Sequence, residues 1–314
     1  MAKVRTVNDN LELLTIDDIV NHKRITDQAL LLDLDNLNRF EGTENSNNFY
    51  GNPFLYHFQF ANLLHCTRER NGKPRDTIYD MWADPVKRAF LIEQTRKRNR
   101  GGKVPANNVF ECYRINTGSI VMFKSVTAKY IYKKYGATRV LDPTAGWGGR
   151  MLGAWSLGID YIGIDTNDEM KPAYDGMIDF LKNKASTFGN GLFEAPSSSR
   201  LDMIWDSCLN VDYSLIGYDF VLTSPPYLNM ELYRKMKPWE NDKAFYEDFF
   251  IPLYYKCVDN IKAGGKVCFN VSPKMYADAI KYGLPPCDLE EDLLQQLGQK
   301  MGKKKQDKIY IWNC

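Results

Sequence analysis

No stretch of this 314-residue chain approaches the roughly 18 uninterrupted apolar residues of a membrane-spanning helix. The first ten residues alternate charge and polarity and lack an apolar run, so a secretory leader is not expected. The seven cysteines, at 66, 112, 208, 257, 268, 287 and 314, never form a CxxC pair. That spacing suggests neither a zinc knuckle nor a disulfide framework, and it leads to the expectation of a reducing, intracellular compartment. No GxxxxGK[ST] segment occurs, so nucleotide chemistry on a loop of that type has no support. The three histidines, His22, His57 and His65, stand in no motif and receive no role. Charge of one sign is also missing, since 41 Lys/Arg meet 39 Asp/Glu for a net +2. The whole molecule therefore has no strong pull on a polyanion.

What remains is ordinary globular composition, 44% hydrophobic and 25% charged. At about 150 residues per domain the length gives two domains, or one large domain with an extension. Charge is unevenly spread. Residues 1–50 hold five Lys/Arg against nine Asp/Glu, whereas residues 68–103 hold eleven against five. The second stretch ends in Arg96, Lys97, Arg98 and Arg100, which are candidate phosphate contacts. A solvated surface face is the plainer reading of the same residues. Between the two stretches, Phe54, Tyr56, Phe58 and Phe60 alternate at strand spacing and read as core rather than as a stacking platform. The glycines at 101 and 102, with Pro105 beyond, mark a boundary, which divides the chain into an N-terminal extension, 1–108, and a catalytic domain, 109–314.

From Val109 the pattern changes to short apolar strands alternating with helices. The sequence predicts a helix over Val126–Tyr135 and a strand over Arg139–Asp142. A second helix over Met151–Leu157 and strands over Tyr161–Asp165 and Asp219–Thr223 follow. A long helix near 243–262 and strands over Lys266–Val271 and Lys308–Trp312 close the series. This is an α/β domain with a mainly parallel sheet, which binds ligands at the carboxyl ends of its strands.

Two turns at such strand ends carry chemistry. The first is Asp142-Pro143-Thr144-Ala145-Gly146-Trp147-Gly148-Gly149-Arg150. Its glycines allow close backbone approach to a ligand. Asp165, at the end of the next strand, suits the two hydroxyls of a ribose. The turn is not GxGxxG, and Asp142 would repel a pyrophosphate but attract an ammonium group. S-adenosylmethionine offers that ammonium beside its sulfonium. The second turn is Ser224-Pro225-Pro226-Tyr227, where a buried strand runs into two prolines that lack N–H groups but keep their carbonyls. The Ser224 hydroxyl, the Pro225 carbonyl and the Tyr227 ring suit an exocyclic amine on a flat base. A rigid corner is the bland alternative.

Together these turns resemble the S-adenosylmethionine-dependent amino-methyltransferases of DNA, which act on cytosine N4 or adenine N6. Asp142, Pro143, Gly146 and Gly148 match that family's donor motif, and Thr144 lies within it. Ser224, Pro225, Pro226 and Tyr227 match its catalytic motif. The resemblance covers about residues 110–314 and implies a Rossmann-like class I methyltransferase fold, α/β, with a mainly parallel seven-stranded sheet plus the N-terminal extension. It also implies that Asp165 holds the ribose, that Asp206 sits near the donor adenine, and that the segment from Thr117-Gly118-Ser119 to Phe123-Lys124 closes over the methionine end. Serine at the head of the catalytic motif is typical of the cytosine-N4 branch. The chain after Pro273 is short for a C-terminal target-recognition domain, which leaves the N-terminal basic region and the loop 228–242 as candidates for reading the base. Pro286-Cys287 lies too far along to serve a carbon-5 methyltransferase and reads as loop. The expected partner is duplex DNA with a flipped base, as in a restriction-modification enzyme, in a chain that could act as a homodimer. RNA as substrate, and a non-catalytic nucleic-acid-binding module, remain as alternatives.

Overall fold

Short β-rich runs bounded by glycine, and helices opened by Thr, Asn or Ser caps, recur throughout the computed structural model. It describes residues 10–41, 48–70, 73–98, 104–118, 120–185, 199–228, 231–232, 238–292 and 307–314. In chain order the helices are α1 (Ile16–Asn21), α2 (Asp27–Arg39), α3 (Asn52–Leu63), α4 (Ile78–Ala83), α5 (Pro85–Arg98) and α6 (Pro105–Thr117). There follow α7 (Ser125–Tyr135), α8 (Gly149–Trp155), α9 (Lys171–Phe180), α10 (Asp242–Phe245), α11 (Ile251–Val258) and α12 (Pro273–Lys281). The strands are β1 (Thr67–Arg70), β2 (Lys73–Pro74), β3 (Arg139–Asp142), β4 (Asp160–Asp165) and β5 (Leu201–Trp205). Beyond them lie β6 (Phe220–Thr223), β7 (Glu231–Leu232), β8 (Lys266–Val271), β9 (Leu289–Asp292) and β10 (Lys308–Asn313).

Seven strands form one sheet in the order β5-β4-β3-β6-β8-β10-β9. The pairs β3/β4, β4/β5, β3/β6 and β6/β8 are parallel, while β10 runs antiparallel to both β8 and β9. This is the expected mainly parallel, Rossmann-like sheet of seven strands. The parallel strands are apolar almost throughout because helices cover both faces; Val140, Leu141, Val221, Leu222, Val267 and Phe269 are all fully buried. Strand order reverses at β3, so the crevice at the carboxyl ends of β3 and β6 is the switch point where such sheets take ligands. Both motif turns leave the sheet there.

The chain divides into two compact units, and the expected boundary at 108 lies inside α6. The first comprises residues 1–24, 59–120 and 229–234. It holds a small sheet in the order β2-β1-β7, so the segment just after the Ser-Pro-Pro-Tyr corner contributes a strand to it. The second comprises residues 25–58, 121–228 and 235–314, so the seven-stranded sheet shares its unit with α2 and the start of α3.

One local expectation is corrected. Phe54, Tyr56, Phe58 and Phe60 lie on helix α3, not on a strand. Their spacing contains i,i+4 pairs, and Phe54 and Phe58 touch across one turn with centroids 5.0 Å apart. Pro53, tolerated in the first helical turn, opens the helix. Phe54 and Phe60 are buried, as core residues should be. The helix expected near 243–262 runs over Asp242–Val258 with a π-helical turn at Tyr246–Phe250. Among the described residues no helix is long and apolar enough to cross a membrane.

Candidate active site

The bend after β3 is pinned to its neighbours by backbone and side-chain bonds. Ala145 N donates to Ile164 O at 2.9 Å, and the Tyr174 hydroxyl donates to Gly146 O at 2.9 Å. Gly146 and Gly148 have φ of +58° and +87°, a region that favours glycine. Their surroundings differ. A Cβ on Gly146 would meet nothing closer than 3.8 Å, so that side of the bend is open to a ligand. A Cβ on Gly148 would press on Met177 and touch Leu55, and one on Gly149 would stand 1.9 Å from Phe123 O. Those two glycines serve packing of the second unit, whereas Gly146 serves approach.

Asp142 is held by donors of the protein itself. It is fully buried and accepts from Arg150 Nε at 2.6 Å, from the Tyr161 hydroxyl at 2.7 Å and from Thr223 Oγ1 at 3.0 Å. Two donors meet its Oδ2 and one its Oδ1, so most of its acceptor capacity is spent inside the protein. Burial works to depress the Arg150 guanidinium, but the adjoining Asp142 carboxylate more than offsets this and holds it above its ordinary value. Since Thr223 spends its proton on Asp142, Thr144 Oγ1 donates to Thr223 Oγ1 at 2.6 Å. Arg150 also donates to Thr144 O. A buried polar network thus ties the bend after β3 to the last residue of β6, and Ser224 follows at once. Nothing in the sequence singled out Thr223 or Tyr161; an arginine eight residues past Asp142 was the one available hint.

Asp165 ends β4 on the same sheet edge. Its oxygens accept from Gly146 N and Asn167 N, each at 2.9 Å. Burial raises its carboxyl above the ordinary range, and these two amides pull it back in part. Each oxygen keeps lone-pair capacity, which fits a pair of ribose hydroxyls. Asp206 follows β5, whose Trp205 is in register with Asp165. It is exposed and accepts from Ser207 N and Asn210 Nδ2. Pro143, buried, turns the chain out of β3.

At the second corner, Ser224 donates its hydroxyl proton to Asn270 O at 3.3 Å, which leaves its oxygen with lone pairs to accept. Asn270 is held in turn by its Nδ2 donating to Lys308 O at 3.0 Å. Pro225 is buried, while Ser224, Pro226 and Tyr227 are half-buried. Leu228 has φ +50°, the one non-glycine residue with positive φ among those described. Backbone strain of this kind gathers where the fold dictates a loop's exit.

Lys124 caps the start of α7 and is fully buried, its Nζ 4.4 Å from the Phe49 ring centroid. Burial lowers its ammonium to about 8. Ser119 lies outside the described residues, and Thr117 and Gly118 belong to the first unit. In the basic segment, Arg96 pairs with Glu12 and Lys97 with Glu93. These pairs are solvent-exposed and weak. Arg98 is exposed and Arg100 lies outside the described residues. Cys287 sits in a loop with its N–H on the Tyr276 hydroxyl. No cluster of His, Cys, Asp or Glu among the described residues could hold a metal ion.

No family model matches the chain, and no curated protein matches it. Among solved structures it is similar to TrmN from Thermus thermophilus at 15% identity and a TM-score of 0.38, covering 60% of this chain and 48% of that one. It is also similar to an rRNA methylase from Streptococcus thermophilus, at 11% identity and a TM-score of 0.36, over 58% of this chain and 93% of that one. A methyltransferase homolog protein from Pyrococcus horikoshii gives 13% and 0.38, over 59% and 65%. The chain matches about half the length of TrmN.

Proposed function

We propose that the protein transfers a methyl group from S-adenosylmethionine to the exocyclic amine of an unstacked nucleobase, cytosine N4 in DNA. One observation carries this reading: the hydrogen bonds of Thr223 to Asp142 and to Thr144 hold the donor-type bend and the Ser-Pro-Pro-Tyr corner side by side at the switch point. The fit to the donor rests on the open side of Gly146 and on the spare lone pairs of Asp165. Asp165 would hold the ribose, Asp206 would face the adenine edge, and Lys124 would offer its cation to the methionine carboxylate. When bound, S-adenosylmethionine supplies a methyl made electrophilic by its sulfonium.

The protein's own residues do the rest. An aromatic amine is a poor nucleophile because its lone pair is delocalised into the ring. Ser224, its proton committed to Asn270, accepts one N–H of the amine, and the Pro225 carbonyl accepts the other. These acceptors draw the nitrogen toward a tetrahedral shape and stabilise the positive charge that develops there. Tyr227 stacks on the base and offsets about 1–3 kcal/mol of the cost of unstacking it. As the nitrogen's lone pair bonds to the methyl, the methyl–sulfur bond would break with its electron pair left on sulfur, and the methylated amine would then lose one N–H proton to solvent; rate enhancement comes from positioning, with no covalent bond to the protein. Arg96, Lys97 and Arg98 would meet phosphates; replacing them with alanine should flatten the salt dependence of DNA binding, and an unaltered slope returns them to solvated surface.

The deciding experiment incubates the protein and labelled donor separately with duplex DNA, single-stranded DNA and RNA, then identifies methylated nucleosides by mass spectrometry. N4-methylcytosine in DNA is the expected product. N6-methyladenine would move the reading to the adenine branch, label in RNA alone would move the substrate, and no label in any arm would overturn it.

A further inference from the structure

We propose that the ammonium group of the donor's methionine end is taken by Asn52 Oδ1, on a segment outside both motifs, with Ser125 Oγ as a second acceptor. This rests on the donor reading above, and it answers a question that reading leaves open. Asp142 already accepts from Arg150, Tyr161 and Thr223, so an ammonium with three N–H donors needs further acceptors.

Residues 49–55 stand against the donor bend within the second unit. Asp33 fixes them by accepting from Gly51 N and Phe54 N, each at 3.0 Å. Gly51, at φ +88°, passes so close to α7 and α8 that an added Cβ would lie 2.9 Å from Ser125 Oγ and from Leu152 Cδ2. Leu55 borders the bend, 3.6 Å and 3.5 Å from where Cβ atoms of Gly148 and Gly149 would stand. Asn52 lies three residues before Leu55 on α3 and so shares the face that meets the bend.

The polar atoms at this junction are unmatched. Asn52 is 9% exposed and Ser125 0%, yet Asn52 Oδ1 and Ser125 Oγ have no hydrogen-bond partner among the described residues. A buried acceptor left without a donor is costly, and a fold retains such atoms where a ligand completes them. An ammonium carries three N–H donors and no acceptor, which matches two waiting oxygens. Lys124, adjacent to Ser125 in the chain, is a cation and so sets the polarity of the zwitterion: its carboxylate turns toward Lys124 and its ammonium toward Asn52.

The test is isothermal titration of the wild type, Asn52→Ala and Asn52→Asp with S-adenosylhomocysteine and with its des-amino analogue, which keeps the carboxylate. In the wild type S-adenosylhomocysteine should bind about ten- to hundredfold tighter than the analogue. Asn52→Ala should remove that preference by weakening S-adenosylhomocysteine alone, and Asn52→Asp, which keeps the acceptor and adds charge, should widen it. Equal weakening of both ligands in Asn52→Ala, or no weakening of either, overturns the assignment and leaves the donor reading standing. Should the alanine variant fail to fold, an unchanged or narrowed preference in Asn52→Asp overturns it. A wild type that binds neither ligand overturns the donor reading and this inference together.

Discussion

At the scale of single residues, the site is a set of protons already assigned. Ser224 gives its proton to Asn270 O and therefore offers only lone pairs to an incoming amine. Ser224→Ala should lower kcat by about 10²-fold while the donor Kd stays as in the wild type, because the acceptor works on the developing charge and not on the donor. Equal losses in kcat and donor affinity would remove its role; single-turnover rates beside titration calorimetry make the comparison. Lys124 makes the complementary statement about burial. Its ammonium is lowered to about 8 in the fold from an ordinary 10.5. Between those values the unfolded chain holds a proton that the folded chain has released, so stability contributed at this residue rises with pH across that window. Denaturation of the wild type and Lys124→Met over the same window should show the wild type gaining relative to the variant. A constant difference between the two would mean that Lys124 keeps its ordinary value.

At the scale of elements, the Gly-rich bend divides its labour in a way its letters do not reveal. Gly146 faces open space, but Gly149 lets α8 start directly against the chain at Phe123, where a Cβ would be 1.9 Å from the carbonyl oxygen. Gly149→Ala should therefore destabilise the fold by about 3 kcal/mol, read as a lower urea midpoint with an unchanged m-value. A variant as stable as the wild type would show that the 123–125 backbone yields freely. The bend, the strands β3, β4, β6, β8 and β10 and the Ser-Pro-Pro-Tyr corner were all legible in sequence, because short apolar runs ending in glycine or proline admit few other structures. The aromatic run 54–60 was not. An i,i+2 spacing of bulky side chains in a buried helix looks like a strand, and only the packing of Phe54 and Phe58 on Phe180 reveals the turn between them. The partners of Asp142 were not legible either, since Arg150, Tyr161 and Thr223 reach it from 8, 19 and 81 residues away.

At the scale of the whole molecule, the second unit is assembled from three separated stretches of chain, 25–58, 121–228 and 235–314. Within it Lys129 Nζ on α7 donates to Leu37 O and Asn38 O at 2.9 and 2.7 Å, and Asp33 holds the turn at Gly51. A fragment of residues 109–314, which follows the boundary drawn from composition, should thus fail to unfold cooperatively, while one beginning at residue 25 retains these anchors. Cooperative thermal unfolding of the shorter fragment at the full-length midpoint would show that 25–58 is dispensable.

Sequence alone determined five strands of the sheet, its two motif turns and the chemistry of their side chains, since hydrophobic period and turn residues act over a few neighbours. Tertiary structure decided which of those side chains remain available to a ligand. Lone pairs and protons are allotted by partners distant in the chain: Thr223 lies 81 residues from Asp142, and Asn270 lies 46 from Ser224. Each can be satisfied only once, and packing alone chooses by whom.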